Sequence, residues 1–204
     1  MKSKAVAYVV DDDPAVRDGL CALLSTISVT TQAFASANEF LQMAEPGMAG
    51  CLVVDVRMPD MSGLDLLHIL KSRDIQLPAI VISGHGDVPM AVRAMKAGAI
   101  DFLLKPFNEQ DLLDQILAAL NQSDQDLAQQ KNSEQAALRF TDLTPREWQV
   151  LDRIMECQHS KSIAHELGIS EKTVDVHRFN IMRKTGTRNL SELIQLRIQA
   201  GEAV

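Results

Sequence analysis

The chain is poor in cysteine, with only Cys21, Cys51 and Cys157 among 204 residues. They are odd in number, far apart and in no Cys-x-x-Cys spacing, which leaves no disulfide framework and fits reduced thiols in a cytoplasm. Long hydrophobic runs are absent too, so no segment approaches the length that spans a membrane. Only six apolar or aromatic residues separate Met1-Lys2-Ser3-Lys4 from Asp11, too few for the core of a secretory signal. No internal repeat is visible. Residues 121–141 hold no glycine or proline and are rich in Gln, Asn, Ser and Ala, which predicts a helical extension or semi-rigid linker rather than a floppy tether.

What remains is an ordinary globular composition, 46% hydrophobic and 23% charged, long enough for one large domain or two small ones. The net charge of −7 is uneven: residues 1–120 carry −6, residues 121–141 carry −1, and residues 142–204 balance at zero. An acidic chain argues weakly against nucleic acid, but Lys172 to Arg188 holds five cations and one acid.

Four apolar runs in the first half end abruptly in polar residues: Val9-Val10-Asp11-Asp12, Leu52-Val53-Val54-Asp55, Ile80-Val81-Ile82-Ser83 and Phe102-Leu103-Leu104-Lys105. Short, β-branched runs of this kind suit strands of a parallel sheet buried on both faces, whose carboxyl ends are where ligands bind. With a further strand at Val29–Phe34, they alternate with helix signals. Asp13-Pro14 opens a helix to about Thr26, Ser36-Ala37-Asn38-Glu39 reads as a capping box, and a loop with Pro59 and Gly63 precedes a helix to about Arg73. Asp87 caps a helix that ends at Gly98, and Glu109–Leu120 begins a fifth. Five βα units predict an α/β, doubly wound, five-stranded parallel sheet.

The strand ends bring together three carboxylates, a hydroxyl and an ammonium. Close like charges need an offsetting cation, and all-oxygen ligation suits Mg²⁺ rather than zinc. A carboxylate beside Mg²⁺ and Lys105 is placed to act as a nucleophile toward phosphorus, and Ser83 to bond the phosphoryl group once attached. Asp13, next to Pro14, reads instead as a helix cap.

The second part shows only helical periodicity. Thr144-Pro145-Arg146-Glu147 is a capping box, Ser160 and Ser170 are each expected to cap a helix, and Gly168-Ile169-Ser170 forms the turn of a helix-turn-helix. On the second of these helices Val174, His177 and Ile181 share the inward side. Lys172, Asp175, Val176, Phe179 and Arg183 lie opposite, flanked by Thr173, Asn180 and Lys184 on one side and Arg178 on the other. Cations on the outer face fit a recognition helix, with Lys172, Arg178, Arg183, Lys184 and Arg188 directed at phosphates or guanine and Val176 and Phe179 at thymine methyls. Asp175 either reads a cytosine amino group or faces away. His177 is expected to pack rather than ligate, since no second His or Cys lies at metal spacing.

The ordered set Val-Val-Asp11-Asp12, Val-Asp55-Val-Arg-Met-Pro-Asp-Met-Ser-Gly63, Ile-Ser83-Gly-His-Gly and Phe102-Leu-Leu-Lys105-Pro106 resembles the receiver domain of bacterial two-component response regulators. Ser-Gly-His-Gly-Asp-Val-Pro-Met-Ala-Val is particularly similar to the FixJ branch. The resemblance implies Asp55 as phosphoacceptor, with Mg²⁺ held by Asp11, Asp12, Asp55 and the backbone carbonyl of Arg57. It also implies Ser83 as switch hydroxyl, Phe102 as switch aromatic, Lys105 as the phosphate-pairing lysine, and a cis peptide before Pro106. Leu143-Thr-Pro-Arg-Glu147, Leu167-Gly-Ile-Ser170, Thr173-Val-Asp-Val-His177 and Asn180-Ile-Met-Arg-Lys184 resemble the LuxR-type helix-turn-helix. That family usually carries Gly near Cys157, Asn at the place of Ser160 and often Lys at the place of Asp175.

The two resemblances together imply a receiver over residues 1–122, a helical linker over 123–141 and a DNA-binding domain over 142–204. The expected DNA contacts are Lys172, Thr173, Val176, Arg178, Phe179, Asn180, Arg183 and Lys184. Implied partners are a sensor histidine kinase, promoter DNA, RNA polymerase and, on phosphorylation, a second copy of the chain; no membrane is expected. The carboxylates would equally serve a Mg²⁺-dependent phosphohydrolase. The lack of any substrate-cap insertion favours a switch over an enzyme. A third possibility is a DNA-binding protein indifferent to phosphorylation, against which the intact Asp55, Ser83 and Lys105 set argues.

Overall fold

The computed structural model describes residues 6–84 and 86–201. Met1-Lys2-Ser3-Lys4 and His85 lie outside the described residues. The chain divides into two compact units between Leu127 and Ala128.

In the first unit five strands, β1 (Val6–Val10), β2 (Thr30–Phe34), β3 (Cys51–Asp55), β4 (Ala79–Ser83) and β5 (Ala99–Leu104), alternate with α1 (Pro14–Ser25), α2 (Ala37–Met43), α3 (Gly63–Ser72), α4 (Val88–Ala97) and the first part of α5 (Glu109–Leu138), whose last residues belong to the second unit. All strand pairs are parallel, in the order β2-β1-β3-β4-β5. The two-residue period of a strand sends alternate side chains to opposite faces. Val10, Leu52, Val54 and Val81 therefore join Phe40, Leu66 and Leu70 of α2 and α3 on one side. Val9, Val53, Ile80 and Ile82 join Leu20, Leu24, Leu112 and Ile116 of α1 and α5 on the other. Each such side chain, fully buried, contributes about 1.5–3 kcal/mol.

Helix starts follow the polar residues that precede them. Asp13 accepts from the Ala15 N–H, Ser62 from Asp65 and Asp87 from Met90, while α4 stops at Gly98 in the left-handed region at φ 102°. At α2 only half of the expected box forms. Ser36 accepts from Glu39 N–H, but the Glu39 carboxylate reaches one residue further back, to Ala35 N–H at 2.8 Å. The predicted start of the fifth helix at Glu109 continues without a break to Leu138.

The second unit holds α6 (Pro145–Met155), α7 (Ser160–Leu167), α8 (Glu171–Thr185) and α9 (Leu190–Ala200) around buried Phe140, Leu151, Ile163, Val174, Ile181 and Leu193. Both arms of the Thr144–Glu147 capping box are present, and Ser170 caps α8 through Thr173 N–H. Ser160 does not cap α7. His159 is the N-cap and gives no side-chain bond, and the Ser160 hydroxyl turns to α8. Among the described residues no helix is long and apolar enough to cross a membrane.

Candidate functional site

The order β2-β1-β3 reverses direction at β1, so the carboxyl ends of β1 and β3 open a crevice beside each other. Val10 pairs with Val54 in register, which brings the next residues, Asp11 and Asp55, to the same edge. Both are buried. Lys105, just past β5, places Nζ 2.8 Å from Asp11 Oδ2 and 2.7 Å from Asp55 Oδ1. Its backbone N–H donates to the Ser83 carbonyl at 2.8 Å, tying the β4 and β5 ends together. The peptide between Lys105 and Pro106 is cis. Burial alone would lower the Lys105 pKa, but the hydrogen bonds and charges of the two aspartates outweigh it and raise the value.

The remaining oxygens are also held. Asp55 Oδ2 accepts from Arg57 N–H at 2.5 Å, and Asp11 Oδ1 from Asp13 N–H at 2.9 Å. Gly63 at the start of α3 lies so close that a Cβ there would strike the Asp55 carbonyl oxygen and a Val54 methyl. Only glycine lets α3 approach the reactive strand end.

Three carboxylates were expected at this edge, and two of them, Asp11 and Asp55, are held on one ammonium. Asp12 is exposed, since neighbours along an extended chain turn to opposite sides. Among the described residues no group of three His, Cys, Asp or Glu is disposed around a metal position. The donor chemistry still fits Mg²⁺, which is held through one or two carboxylates with waters completing the shell. Asp11 and Asp55 are all-oxygen donors already sharing a single cation.

Ser83 is buried, with its hydroxyl 3.8 Å from the Met90 sulfur on α4. Phe102, mid-way along β5, is half-buried, with its ring against Gly86, where a Cβ would come within 2.9 Å of it. Beside it, Val88, Val92, Met95 and Leu104 are exposed large apolar side chains on α4 and β5.

In the second unit Val174 and Ile181 are fully buried under α8 and His177 is half-buried, as expected of the inward side. Lys172, Asp175, Val176, Phe179 and Arg183 are exposed. Phe179 is 61% exposed, an apolar ring with no fold-stabilising reason to be there. Lys184 departs from the expected contact set. Its Nζ donates to Glu147 Oε2 at 2.7 Å and to the Asp142 carbonyl at 3.0 Å, so it neutralises a buried acid rather than reaching outward. Arg178 Nη1 donates to Ser160 Oγ at 2.8 Å.

Sequence reasoning missed several of these partners. Arg17 on α1 donates to the Asp11 carbonyl at 2.7 Å, and Arg146 holds the Leu167 carbonyl at the end of α7 at 2.5 Å. Neither spacing carries a local signal. Glu147 was legible as a cap, but its burial and its lysine 37 positions away were not.

Two family models match the chain: the response regulator receiver domain over residues 7–117, and the LuxR family of bacterial regulatory proteins over residues 141–197. The chain is 44% identical over 192 residues to the response regulator protein TodT of Pseudomonas putida, covering 94% of this chain and 85% of that one. It is 41% identical over 202 residues to the transcriptional regulatory protein FixJ of Bradyrhizobium diazoefficiens, covering 98% of each. Among solved structures, the response regulator StyR superposes with a TM-score of 0.81 at 45% identity, covering 97% of this chain and all of that one. Full-length FixJ from B. japonicum gives 0.59 at 40%, covering 98% of each. Receiver domains bind Mg²⁺ at their phosphorylation site and imply a histidine kinase partner, and LuxR-type domains imply DNA binding. The chain belongs to the two-component response regulators that join a receiver domain to a LuxR-type DNA-binding domain, the group that includes the transcriptional regulators FixJ and TodT.

Proposed function

We propose that a sensor histidine kinase phosphorylates Asp55 and that this gates sequence-specific DNA binding by α8. The observation that carries the reading is Lys105, whose one ammonium is shared between two buried carboxylates. In the transfer an Asp55 oxygen forms a bond to phosphorus as the bond from phosphorus to the donor imidazole breaks, and the imidazole leaves. The product adds about −2 charge, and Lys105 is within reach to pair with it. Mg²⁺, when bound through Asp11, Asp12, Asp55 and the Arg57 carbonyl, supplies further positive charge against the phosphoryl oxygens. Ser83 then leaves Met90 for the phosphoryl group, and Phe102 turns inward.

The surface from Val88 to Phe107 changes with them, and its exposed Val88, Val92, Met95 and Leu104 supply an apolar patch for dimerisation. Two copies of α8 then reach half-sites about one helical turn apart. The functional parts are residues 1–122 as receiver, 123–141 as helical linker and 142–204 as DNA-binding domain, acting on promoter DNA with RNA polymerase in the cytoplasm. Lys172, Thr173, Val176, Arg178, Phe179, Asn180 and Arg183 remain the proposed DNA contacts. The chain works as a switch and not as an enzyme of turnover, since no substrate-cap insertion interrupts the receiver sequence.

Acetyl phosphate or beryllofluoride should increase both self-association and operator affinity of the wild type and leave Asp55→Asn unchanged. Equal responses in the two proteins would refute the gating. Sustained turnover of a generic phosphate ester would support the phosphohydrolase reading instead.

A further inference from the structure

Asp175 is the only acid among the five cations from Lys172 to Arg188. It is exposed, next to Val176 on the outward side of α8. A carboxylate there repels the phosphates that the neighbouring cations attract, which sets it apart from the rest of the outward face. Among the described residues it forms no ion pair. Its Oδ1 lies 3.4 Å from Ser160 Oγ, which itself accepts from Arg178 Nη1 at 2.8 Å.

The Ser160 hydroxyl thus stands between the carboxylate and the guanidinium of residues three apart on α8, which share a face. It restricts the Asp175 rotamer and brings a positive charge near without closing a salt bridge. Ser160 gives up the capping role its sequence position offers in order to do this.

An ionised carboxylate only accepts hydrogen bonds. Phosphate oxygens only accept as well, so in a duplex its partners are the exocyclic amino groups on the base edges. In the major groove adenine presents its amino group beside the N7 acceptor, which opposes a carboxylate. Cytosine presents its amino group beside its own C5–H, with no acceptor on the same base. We propose that Asp175, oriented by Ser160, is a specificity-determining residue that reads a cytosine amino group in the major groove. The inference rests on α8 being the DNA-recognition helix.

The test is selection of bound duplexes from a randomised pool by full-length protein treated with acetyl phosphate, comparing wild type with Asp175→Ala and Ser160→Ala. Wild type should enrich cytosine at one position of each half-site. Asp175→Ala should lose that preference by about 5- to 100-fold at that position alone, while binding random DNA more tightly because a repelling charge is gone. Ser160→Ala should weaken the same preference, with its melting curve checked against wild type. Identical base preferences for wild type and Asp175→Ala at every position, with only a rise in overall affinity, would overturn the assignment. If the wild type selects no duplex at all, the recognition-helix reading itself falls, and this proposal with it.

Discussion

Lys184→Met tests how the DNA-binding unit carries a buried acid. Glu147 is 3% exposed. Its Oε2 accepts from Thr144 N–H at 2.8 Å, Thr144 Oγ1 at 2.9 Å and Lys184 Nζ at 2.7 Å. Removing one partner of a buried pair typically costs about 3–5 kcal/mol. Two features lower that figure: the Lys184 side chain is 26% exposed, and Glu147 sits in the first turn of α6, where the helix dipole favours negative charge. The expected loss is about 2–3 kcal/mol at pH 7, a fall in Tm on the order of 10 °C for so small a unit.

The chain's single tryptophan provides the assay. Trp148 packs 5.9 Å from the Phe140 ring, with the Arg197 guanidinium 5.7 Å from its centroid, so its fluorescence follows the second unit. Burial would raise the Glu147 pKa, but Lys184 and Thr144 outweigh it and hold the carboxyl below its ordinary 4.5. A lowered folded pKa gives stability that is fully present above the unfolded value and lost as pH falls through the folded one. The gap between wild type and Lys184→Met therefore closes below about pH 4. Adding Glu147→Gln to the variant should recover most of the loss at neutral pH. Were Lys184 a phosphate ligand, its removal would lower the salt slope of DNA binding by about 1; the ion pair predicts an unchanged slope. A Lys184→Met protein that melts with wild type at pH 7 would refute the reasoning.

Three further substitutions probe the frame around the two sites. Lys105→Met leaves Asp11 and Asp55 without their shared ammonium, a repulsion of about 3 kcal/mol at an effective dielectric near 20 and a separation of about 5 Å. Urea unfolding followed by far-ultraviolet circular dichroism should show the first unit weakened in EDTA and rescued by Mg²⁺ more than wild type is; equal stability in EDTA would count against the charge argument. Gly63→Ala should destabilise the first unit by about 3 kcal/mol, because the added methyl overpacks the Asp55 carbonyl and Val54, and a circular dichroism melt matching wild type would contradict this. Cys157 adopts φ 59°, near where LuxR-type domains usually carry glycine, so Cys157→Gly should stabilise the second unit by about 1 kcal/mol. A Trp148 melting curve that does not move upward would show that the strain is absent.

The receiver was legible because its signals are local and redundant. Four of the five strands hold a short apolar run with a polar residue at its carboxyl end, β2 (Thr-Thr-Gln-Ala-Phe) being the exception, and Asp13, Asp87 and Gly98 mark helix boundaries within a few residues. A β-strand has one period and two faces, so placing Val53 in the sheet also settles that Asp55 emerges at its edge. Asp12 shows where that logic stops. Residues 11 and 12 look equivalent as a doublet, yet alternation buries one and exposes the other. The long side chains of the second unit were harder. Lys184 and Arg178 both lie on flanks of α8, and a helical wheel gives only the direction in which each leaves the backbone. Whether the end of a flexible chain finds Glu147, Ser160 or a phosphate depends on which helix lies alongside, and that was not written near either residue.

The same distinction bears on how the proposed switch would work. Asp11 and Asp55 come from different strands but divide one ammonium, with bonds of 2.8 and 2.7 Å. A phosphoryl group on Asp55 would claim Lys105 more strongly than either carboxylate, since it brings about two negative charges and three acceptor oxygens. Asp11 would then lose its counter-charge while still buried, and burial of an unpaired carboxylate is costly. That cost can be met by a divalent cation at the Asp11 side, which is a physical reason for a hard-metal requirement that does not depend on a preassembled cage. It also predicts the order of coupling. Mg²⁺ should bind the beryllofluoride-treated protein more tightly than the untreated one, and Asp11→Asn, which needs no counter-charge, should lose most of that difference. A metal affinity that is unchanged by beryllofluoride in wild type, measured by calorimetry, would show that Lys105 serves both states equally and that the competition for it is not what drives the change.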